Sequence, residues 1–151
     1  MAFLSQRKLL EIIDDDRVRA AIAGAEKRTS GEIRVSVSRF FYGSVRRAAE
    51  HAFERMKMRD TRDRNGILFF VVPSRRRFVV VGDEGIHAKV GQEFWDGLVA
   101  AMSGDFREGK FNEGLIRGIE ECGRLLAQHF PYDAGTDVNE LPDDIDFGNK
   151  E

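Results

Sequence analysis

The sequence contains a single cysteine, Cys122, among its 151 residues, so an internal disulfide bond cannot form. No apolar run approaches the roughly 20 residues that a membrane-spanning helix needs. The N-terminus places its basic residues after a very short apolar start and has no small-residue cleavage site, which argues against a secretory signal. We therefore expect a cytoplasmic protein without a transmembrane segment.

Common signatures of nucleotide and zinc binding are also missing. There is no Walker sequence and no GxGxxG motif. The histidines at positions 51, 87 and 129 lack the spacing of a zinc site. His87 follows an acidic turn, so it is either a surface helix residue or an acid, base or ligand. Cys122 falls on the apolar stripe of a predicted helix, which indicates a core residue rather than a nucleophile.

With 42% hydrophobic and 33% charged residues, the chain has the balance of one soluble domain. We expect that domain to cover residues 1–130, followed by an acidic, irregular or mobile tail over 131–151. Residues 39–77 contain eleven Lys and Arg against four acids, whereas 131–151 contain seven acids against one Lys. This asymmetry indicates either a basic binding face or an ordinary solvated face.

Three segments have the composition of β-strands. The runs 67–72 and 78–81 form a predicted hairpin, and neither alternates apolar with polar residues. That pattern predicts burial on both faces of the sheet, with helices on both sides. Residues 33–37 do alternate, which predicts a strand nearer an edge. A helix from Ser44 joins this strand to 67–72, so the two strands should run parallel.

Helical spacing accounts for most of the remaining chain. We expect a helix over 5–29, capped by Ser5, recapped at 14–16 and stopped by Gly31 in the left-handed conformation. A third helix is predicted from about residue 94 to Gly104 or Gly109, and a fourth from Phe111 to Leu126. Gly114 and Gly118 interrupt the fourth helix and imply close packing there. Together these elements predict an α/β fold around a small mixed sheet.

The predicted strand directions bring polar residues to one edge of the sheet. The amino ends of the first two strands should lie beside the carboxyl end of the third. Carboxylates that converge there repel one another, and a Ca²⁺ or Mg²⁺ ion bound by oxygen ligands would relieve that repulsion. The candidate ligands are Glu32, Asp63, Asn65, Asp83 and Glu84.

Other interpretations of this edge stay open. Arg62 or Arg64 can neutralise the acids in place of a metal ion, and Asp and Asn are common in ordinary turns. The spacing does not match an EF-hand. Nucleic-acid binding through the basic residues is disfavoured, because the basic stretch lacks the interleaved aromatic residues of single-strand binders.

Five short motifs together resemble the TPM domain family, which occurs in thylakoid-lumen repair proteins, in a modulator of acetylcholine receptors and in many bacterial proteins. The Asn-Glu-Leu-Pro tail is similar to one bacterial branch of that family. In order along the chain, the motifs occupy residues 29–33, 64–68, 82–86, 111–115 and 139–143.

The resemblance implies a three-layer α/β/α sandwich, with a small mixed β-sheet of three to four strands flanked by about four helices. It also implies a phosphatase-like domain, and some members of the family are associated with bound calcium. Family members commonly have Asp-Asn-Gly before the second strand, whereas this chain has Arg64 in place of that Asp, with Asp63 one position earlier. Where other branches have Gly-Tyr-Gly after the third strand, this chain has Gly82-Asp83-Glu84-Gly85.

Two functions from different classes follow. The first is a soluble binding or accessory module for a protein partner, such as membrane-associated machinery, steadied by a cation at the acidic edge and without an organic cofactor. No convincing pair of nucleophile and base is present, which favours this hypothesis. The second is a metal-assisted phosphatase for phosphate monoesters, with Arg62 or Arg64 binding the phosphoryl oxygens.

Overall fold

The computed structural model describes residues 6–39, 43–132 and 145–147. Five α-helices and three β-strands follow one another in these ranges, and a short 3₁₀ turn at Pro73–Arg75 joins the last two strands. The elements are α1 (Gln6–Ile12), α2 (Asp15–Glu26), β1 (Glu32–Val37), α3 (Val45–Arg55), β2 (Gly66–Val72), β3 (Arg77–Gly82), α4 (Glu84–Arg107) and α5 (Phe111–His129).

The sheet has the order β1-β2-β3. β1 pairs with β2 in parallel, with Glu32 opposite Gly66, and β2 pairs with β3 antiparallel, with Ile67 opposite Gly82. The parallel pair confirms the crossover predicted from the order strand, helix, strand.

Alternate residues of the sheet enter two separate hydrophobic cores. Ile67, Phe69 and Val71 belong to the larger core, which also takes residues from α1, α2, α4 and α5. Leu68 and Phe70 face the other way and pack with residues of α3. Since helices cover both faces, the molecule is an α/β/α sandwich, as predicted.

Side-chain caps define several helix starts. The Asp14 carboxylate accepts a hydrogen bond from the Arg17 backbone N–H at 3.2 Å, so α2 begins as predicted. The Ser44 hydroxyl accepts from the Arg47 N–H at 3.1 Å and caps α3. The predicted cap Ser5 lies outside the described residues. α4 begins ten residues before the predicted position, at Glu84, because Asp83 caps it and Gly91 (φ 74°) kinks it rather than preceding it.

Three predictions about exposure and backbone conformation were wrong. Gly31 is not left-handed; a side chain there would instead collide with Leu126, since an added Cβ would lie 2.8 Å from its Cδ2. β1 does lie at an edge of the described sheet, as predicted, but all six of its residues are buried, and Asp146 of the C-terminal segment pairs with its outer edge. β3 is mostly half-exposed, since it forms the other edge of the sheet.

Predictions about α5 and its packing were confirmed. Close contacts explain both internal glycines, because a Cβ on Gly114 would meet the Phe106 ring and one on Gly118 would meet Met102. Cys122 is fully buried, and burial raises the pKa of its thiol.

None of the helices in the described ranges has the length and apolar character of a membrane span. Of the predicted tail, residues 133–144 and 148–151 lie outside the described ranges.

Candidate binding rim

The sheet edge predicted from the strand directions is formed by backbone pairing. We call it the rim: the amino ends of β1 and β2, the loop at residues 61–65 and the start of α4. The Asp83 N–H donates to the Gly66 carbonyl at 2.9 Å, and the Gly85 N–H donates to the Arg64 carbonyl at 2.8 Å. These bonds hold the first turn of α4 against the loop that precedes β2.

The loop before β2 has a tight conformation that Gly85 permits. Arg64 adopts a left-handed backbone with φ 51°, a region that Asn and Asp enter more readily than other non-glycine residues. A Cβ on Gly85 would lie 2.1 Å from the Asp63 carbonyl oxygen, so only glycine fits at that point. The Thr61 hydroxyl accepts a hydrogen bond from the Asn65 N–H at 3.3 Å and closes the loop.

Asp83 is the buried centre of the rim, with 3% of its surface exposed. Its Oδ1 caps α4 by accepting from the Glu84 N–H at 2.8 Å. The Arg64 guanidinium donates to Oδ2 from Nε at 2.8 Å and to Oδ1 from Nη2 at 3.0 Å. The hydrogen bond with Asp83 raises the pKa of Arg64. Arg59 Nη1 lies 3.9 Å from the same carboxylate, so both carboxylate oxygens already face donors.

Of the other predicted ligands, two lie next to arginine side chains and two are buried in the interior. Glu84 lies 3.3 Å from Arg64 Nη2, and Asp63 lies 3.5 Å from Arg62 Nη2. Glu32 and Asn65 are buried. The described ranges contain no group of three or more His, Cys, Asp or Glu side chains that could hold a metal ion. Arginine therefore neutralises much of the rim, which is the alternative left open by the sequence, and the metal-ligand set stays a prediction.

Asn65 contributes one buried oxygen whose bonding is incomplete. Its side-chain amide donates from Nδ2 to the Ser30 hydroxyl at 3.4 Å. Its Oδ1 has no hydrogen-bond partner within the part of the chain that the structure describes. Only 1% of the residue is exposed. A buried acceptor without a donor costs free energy, so this oxygen is a candidate contact for a ligand at the rim.

A cleft of about 320 Å³ opens between α3 and the start of α4. We call it the rim cleft. Sequence reasoning missed most of its residues because they come from α3 and the loop after it, where a regular polar helix face gave no signal for a site. It is lined by Glu50, Phe53, Glu54, Arg59, Val81, Gly82, Asp83, Glu84 and His87.

His87 is oriented by Trp95 from the next turns of α4. The Trp95 indole N–H donates to His87 Nδ1 at 3.0 Å, so Nδ1 is an acceptor and the neutral ring carries its proton on Nε2. Gly82 makes room for this pair, since a Cβ there would lie 2.5 Å from the indole ring. Trp95 is 7% exposed and belongs to the larger hydrophobic core.

The basic stretch is partly engaged in internal contacts. Arg55 forms an ion pair with Asp146 at 2.8 Å. Arg75 and Arg76 donate to the backbone carbonyls of Gly43 and Arg107, at 2.7 and 2.8 Å. These contacts give the three arginines structural partners within the described residues, and the expectation about nucleic acid stays a prediction.

Comparison with solved structures identifies the same fold in several bacterial proteins. The BA42 protein of the psychrophilic bacterium Bizionia argentinensis is 38% identical, with a TM-score of 0.82, over 92% of this chain and 94% of that one. The N-terminal domain of a protein from P. gingivalis is 14% identical, with a TM-score of 0.61, over 86% and 96% of the two chains. The N-terminal domain of cg2496 from Corynebacterium glutamicum is also 14% identical, with a TM-score of 0.58, over 74% and 70%.

The two domains at 14% identity support the fold alone. None of the curated proteins matches this chain. The TPM domain family model matches residues 4–125, which is most of the chain and includes every element of the rim. Assignment to the branch with the Asn-Glu-Leu-Pro tail stays a prediction, because that motif lies beyond the matched residues. The chain belongs to the TPM domain family.

Proposed function

We propose that this chain is a protein-binding module whose rim cleft holds a positively charged side chain of a partner protein. The excess negative charge of the cleft wall supports the proposal: four lining side chains are carboxylates, against Arg59 in the wall and Arg64, which pairs with Asp83 and Glu84. A cleft lined mostly by one sign of charge concentrates ligands of the other sign.

Arg59 illustrates how the cleft accommodates a guanidinium group. Its Nε lies 2.5 Å from the Glu54 carboxylate, and its guanidinium carbon lies 5.8 Å from the centre of the Phe53 ring. Carboxylate pairing combined with an aromatic surface is the usual environment for a bound arginine. Glu50 forms no ion pair with any residue that the structure describes, so its carboxylate is available to a partner.

An NMR titration with an N-acetylated, C-amidated Gly-Arg-Gly peptide tests this proposal. We expect shifts in the backbone amides of Gly82, Glu84 and His87. Glu50→Gln and Glu84→Gln should each weaken binding by about two- to fivefold, the effect of losing one exposed ion pair. Glu120→Gln makes the same charge change on α5 and should leave binding unchanged. Equal weakening in all three variants would indicate nonspecific attraction and contradict the proposal.

A divalent cation at the rim is a second candidate ligand, supported by one observation. The buried Asn65 Oδ1 without a donor is the kind of oxygen that Ca²⁺ binds. The Asp83 carboxylate fits a cation poorly as arranged, because Arg64 and the α4 N–H already occupy its oxygens. A cation that uses Asp83 must therefore displace Arg64.

Calorimetry with Ca²⁺ and Mg²⁺ decides the cation hypothesis. If a cation uses the rim, Arg64→Ala should bind it more tightly than wild type, since the competing guanidinium is gone, and Asp83→Ala should lose the heat of binding. Arg124→Ala removes an arginine that pairs with Glu121 on α5, outside the rim, and serves as the matched control. Heats that are equal across wild type and variants, or absent throughout, would remove the cation from the proposal.

The phosphatase alternative has less support from the rim geometry. It requires arginines that bind phosphoryl oxygens, yet Arg64 is committed to Asp83 and Glu84, and Arg62 lies beside Asp63. An assay of purified protein on a generic phosphate ester, with Glu84→Gln and Asp83→Asn as controls, tests this alternative. Hydrolysis that is unchanged in both variants would point to a contaminant.

A further inference from the structure

The outer edge of β1 is occupied by a short segment from the far end of the chain. The Val37 N–H donates to the Asp146 carbonyl at 2.7 Å, and the Asp146 N–H donates to the Val35 carbonyl at 2.9 Å. Asp146 therefore lies opposite Ser36 in a parallel bridge. We call the edge of β1 together with Arg55 the β1 slot, and residues 145–147 the tail strand.

The β1 slot recognises the side chains of the tail strand as well as its backbone. Ile145 is 8% exposed and belongs to the larger core, against which Phe147 also packs. On the other face, Asp146 Oδ2 accepts from the Ser36 hydroxyl at 2.7 Å and from Arg55 Nη2 at 2.8 Å, and Oδ1 accepts from Arg55 Nη1 at 3.3 Å. The β1 slot thus selects an extended segment with the pattern apolar, Asp, apolar.

The tail strand is held by only a few hydrogen bonds, although some of them involve charged groups. A backbone hydrogen bond contributes on the order of 1 kcal/mol, and one to a charged group somewhat more. The chain reaches the slot after twelve residues, 133–144, that follow Tyr132. This covalent tether makes binding of the tail strand intramolecular and raises its local concentration, so even a weakly bound segment fills the slot.

We propose that the β1 slot is a docking site for an extended segment of a partner protein with the pattern apolar, Asp, apolar, and that the tail strand closes this site in cis as an autoinhibitory strand. A partner segment gains backbone bonds by adding a strand to the sheet, and specificity from the Ser36 and Arg55 contacts with its carboxylate. Neither of these residues lines the rim cleft, so this proposal is independent of the proposed function.

A partner protein is favoured over a second copy of this chain by the tether. The tail of a second copy makes the same contacts but lacks the local concentration of the tethered segment, so it cannot compete at ordinary protein concentrations. A partner segment can pair along more of β1, which is six residues long, than the bridge at Asp146 uses. Such a segment can displace the tail strand.

Fluorescence anisotropy with a labelled peptide of residues 139–151 tests the proposal in the full chain. Ile145→Ser combined with Asp146→Ser weakens the tail strand and should bind the peptide at least about 10-fold more tightly than wild type, because the tethered competitor is lost. Adding Arg55→Glu should reduce that binding at least about 10-fold. Adding Arg47→Glu, the same charge change elsewhere on α3, should change it less than about twofold.

Three results would overturn the proposal. The first is a folded double variant that fails to bind the peptide, or binds it regardless of Arg55. The second is a wild-type dimer that Asp146→Ala dissociates, which would assign the slot to a second copy. If the double variant does not fold, amide hydrogen exchange of the wild type decides. We expect the Val37 N–H to exchange through local opening, faster than the amides of β2. If the Val37 N–H exchanges only when the whole protein unfolds, that is the third contrary result.

Discussion

Asp83 joins three parts of the molecule through one buried carboxylate. It caps α4, fixes the guanidinium of Arg64 in the loop before β2, and attracts Arg59 from the loop after α3. A cap contributes through hydrogen bonding and needs no charge, whereas the arginine contacts need the charge. Substitutions at this position can therefore separate the two contributions.

We expect Asp83→Ala to destabilise the protein by at least about 1 kcal/mol, the usual cost of losing a helix cap. Asp83→Asn keeps a capping oxygen and removes the charge, so it should be less destabilising than Asp83→Ala. Urea denaturation of both variants and wild type measures the difference. If Asp83→Asn loses as much stability as Asp83→Ala, the charge holds the rim together and the cap contributes little.

Arg64 illustrates how much of the site could be predicted from the sequence at the scale of single residues. Its proximity to acids predicted neutralisation as one alternative, alongside a metal ion. The choice depends on a left-handed backbone at Arg64 and on the contact of Gly85 with the Asp63 carbonyl. Both are tertiary features that no local pattern encodes. Asn65 was predicted as a ligand, but the missing donor at its Oδ1 is visible only in three dimensions.

At the scale of elements, glycines in helices have opposite roles according to their neighbours. Gly118 of α5 lies against the sheet and α4, where an added Cβ would be 2.6 Å from Met102 Sδ and 2.9 Å from the Phe69 ring. Gly97 of α4 has no atom within 4 Å of such a Cβ. The first glycine permits close packing of layers, whereas the second only weakens its helix.

The same substitution at these two glycines should therefore change stability in opposite directions. Gly118→Ala should destabilise by about 1–3 kcal/mol, because it overpacks the core. Gly97→Ala should stabilise by up to about 1 kcal/mol, because alanine is the better helix former. Thermal unfolding of the two variants against wild type measures both changes. Destabilisation by Gly97→Ala would show that this position has a packing role.

Strand pairing was predictable because it depends on the order of elements, whereas strand exposure was not. The helix between β1 and β2 required a parallel pair, and the short connection between β2 and β3 required an antiparallel one. The apolar run of β3 suggested burial on both faces, yet its place at the sheet edge leaves it half-exposed. Exposure follows from the final position in the sheet.

At the scale of the whole molecule, contacts between distant parts of the sequence complete the fold. Ser36 and Asp146 are 110 residues apart and share a hydrogen bond. The alternating pattern of β1 predicted a partly exposed strand, whereas its residues are buried and its outer edge pairs with the tail strand. An acidic tail of this composition gives no local signal for docking, because its partner groups appear only when the sheet and α3 have assembled.

The stability of the whole molecule should fall at alkaline pH because of Cys122. Burial raises its thiol pKa in the folded state, whereas the unfolded thiol ionises near pH 8.5. Stability from this difference is fully present below that pH and falls by up to about 1.4 kcal/mol per unit above it. Cys122→Ala lacks the thiol, so its stability deficit relative to wild type should shrink by about 1 kcal/mol between pH 8 and 9.5, by urea denaturation under reducing conditions. Other ionisations cancel in this comparison, so parallel pH profiles would mean that the folded thiol ionises normally.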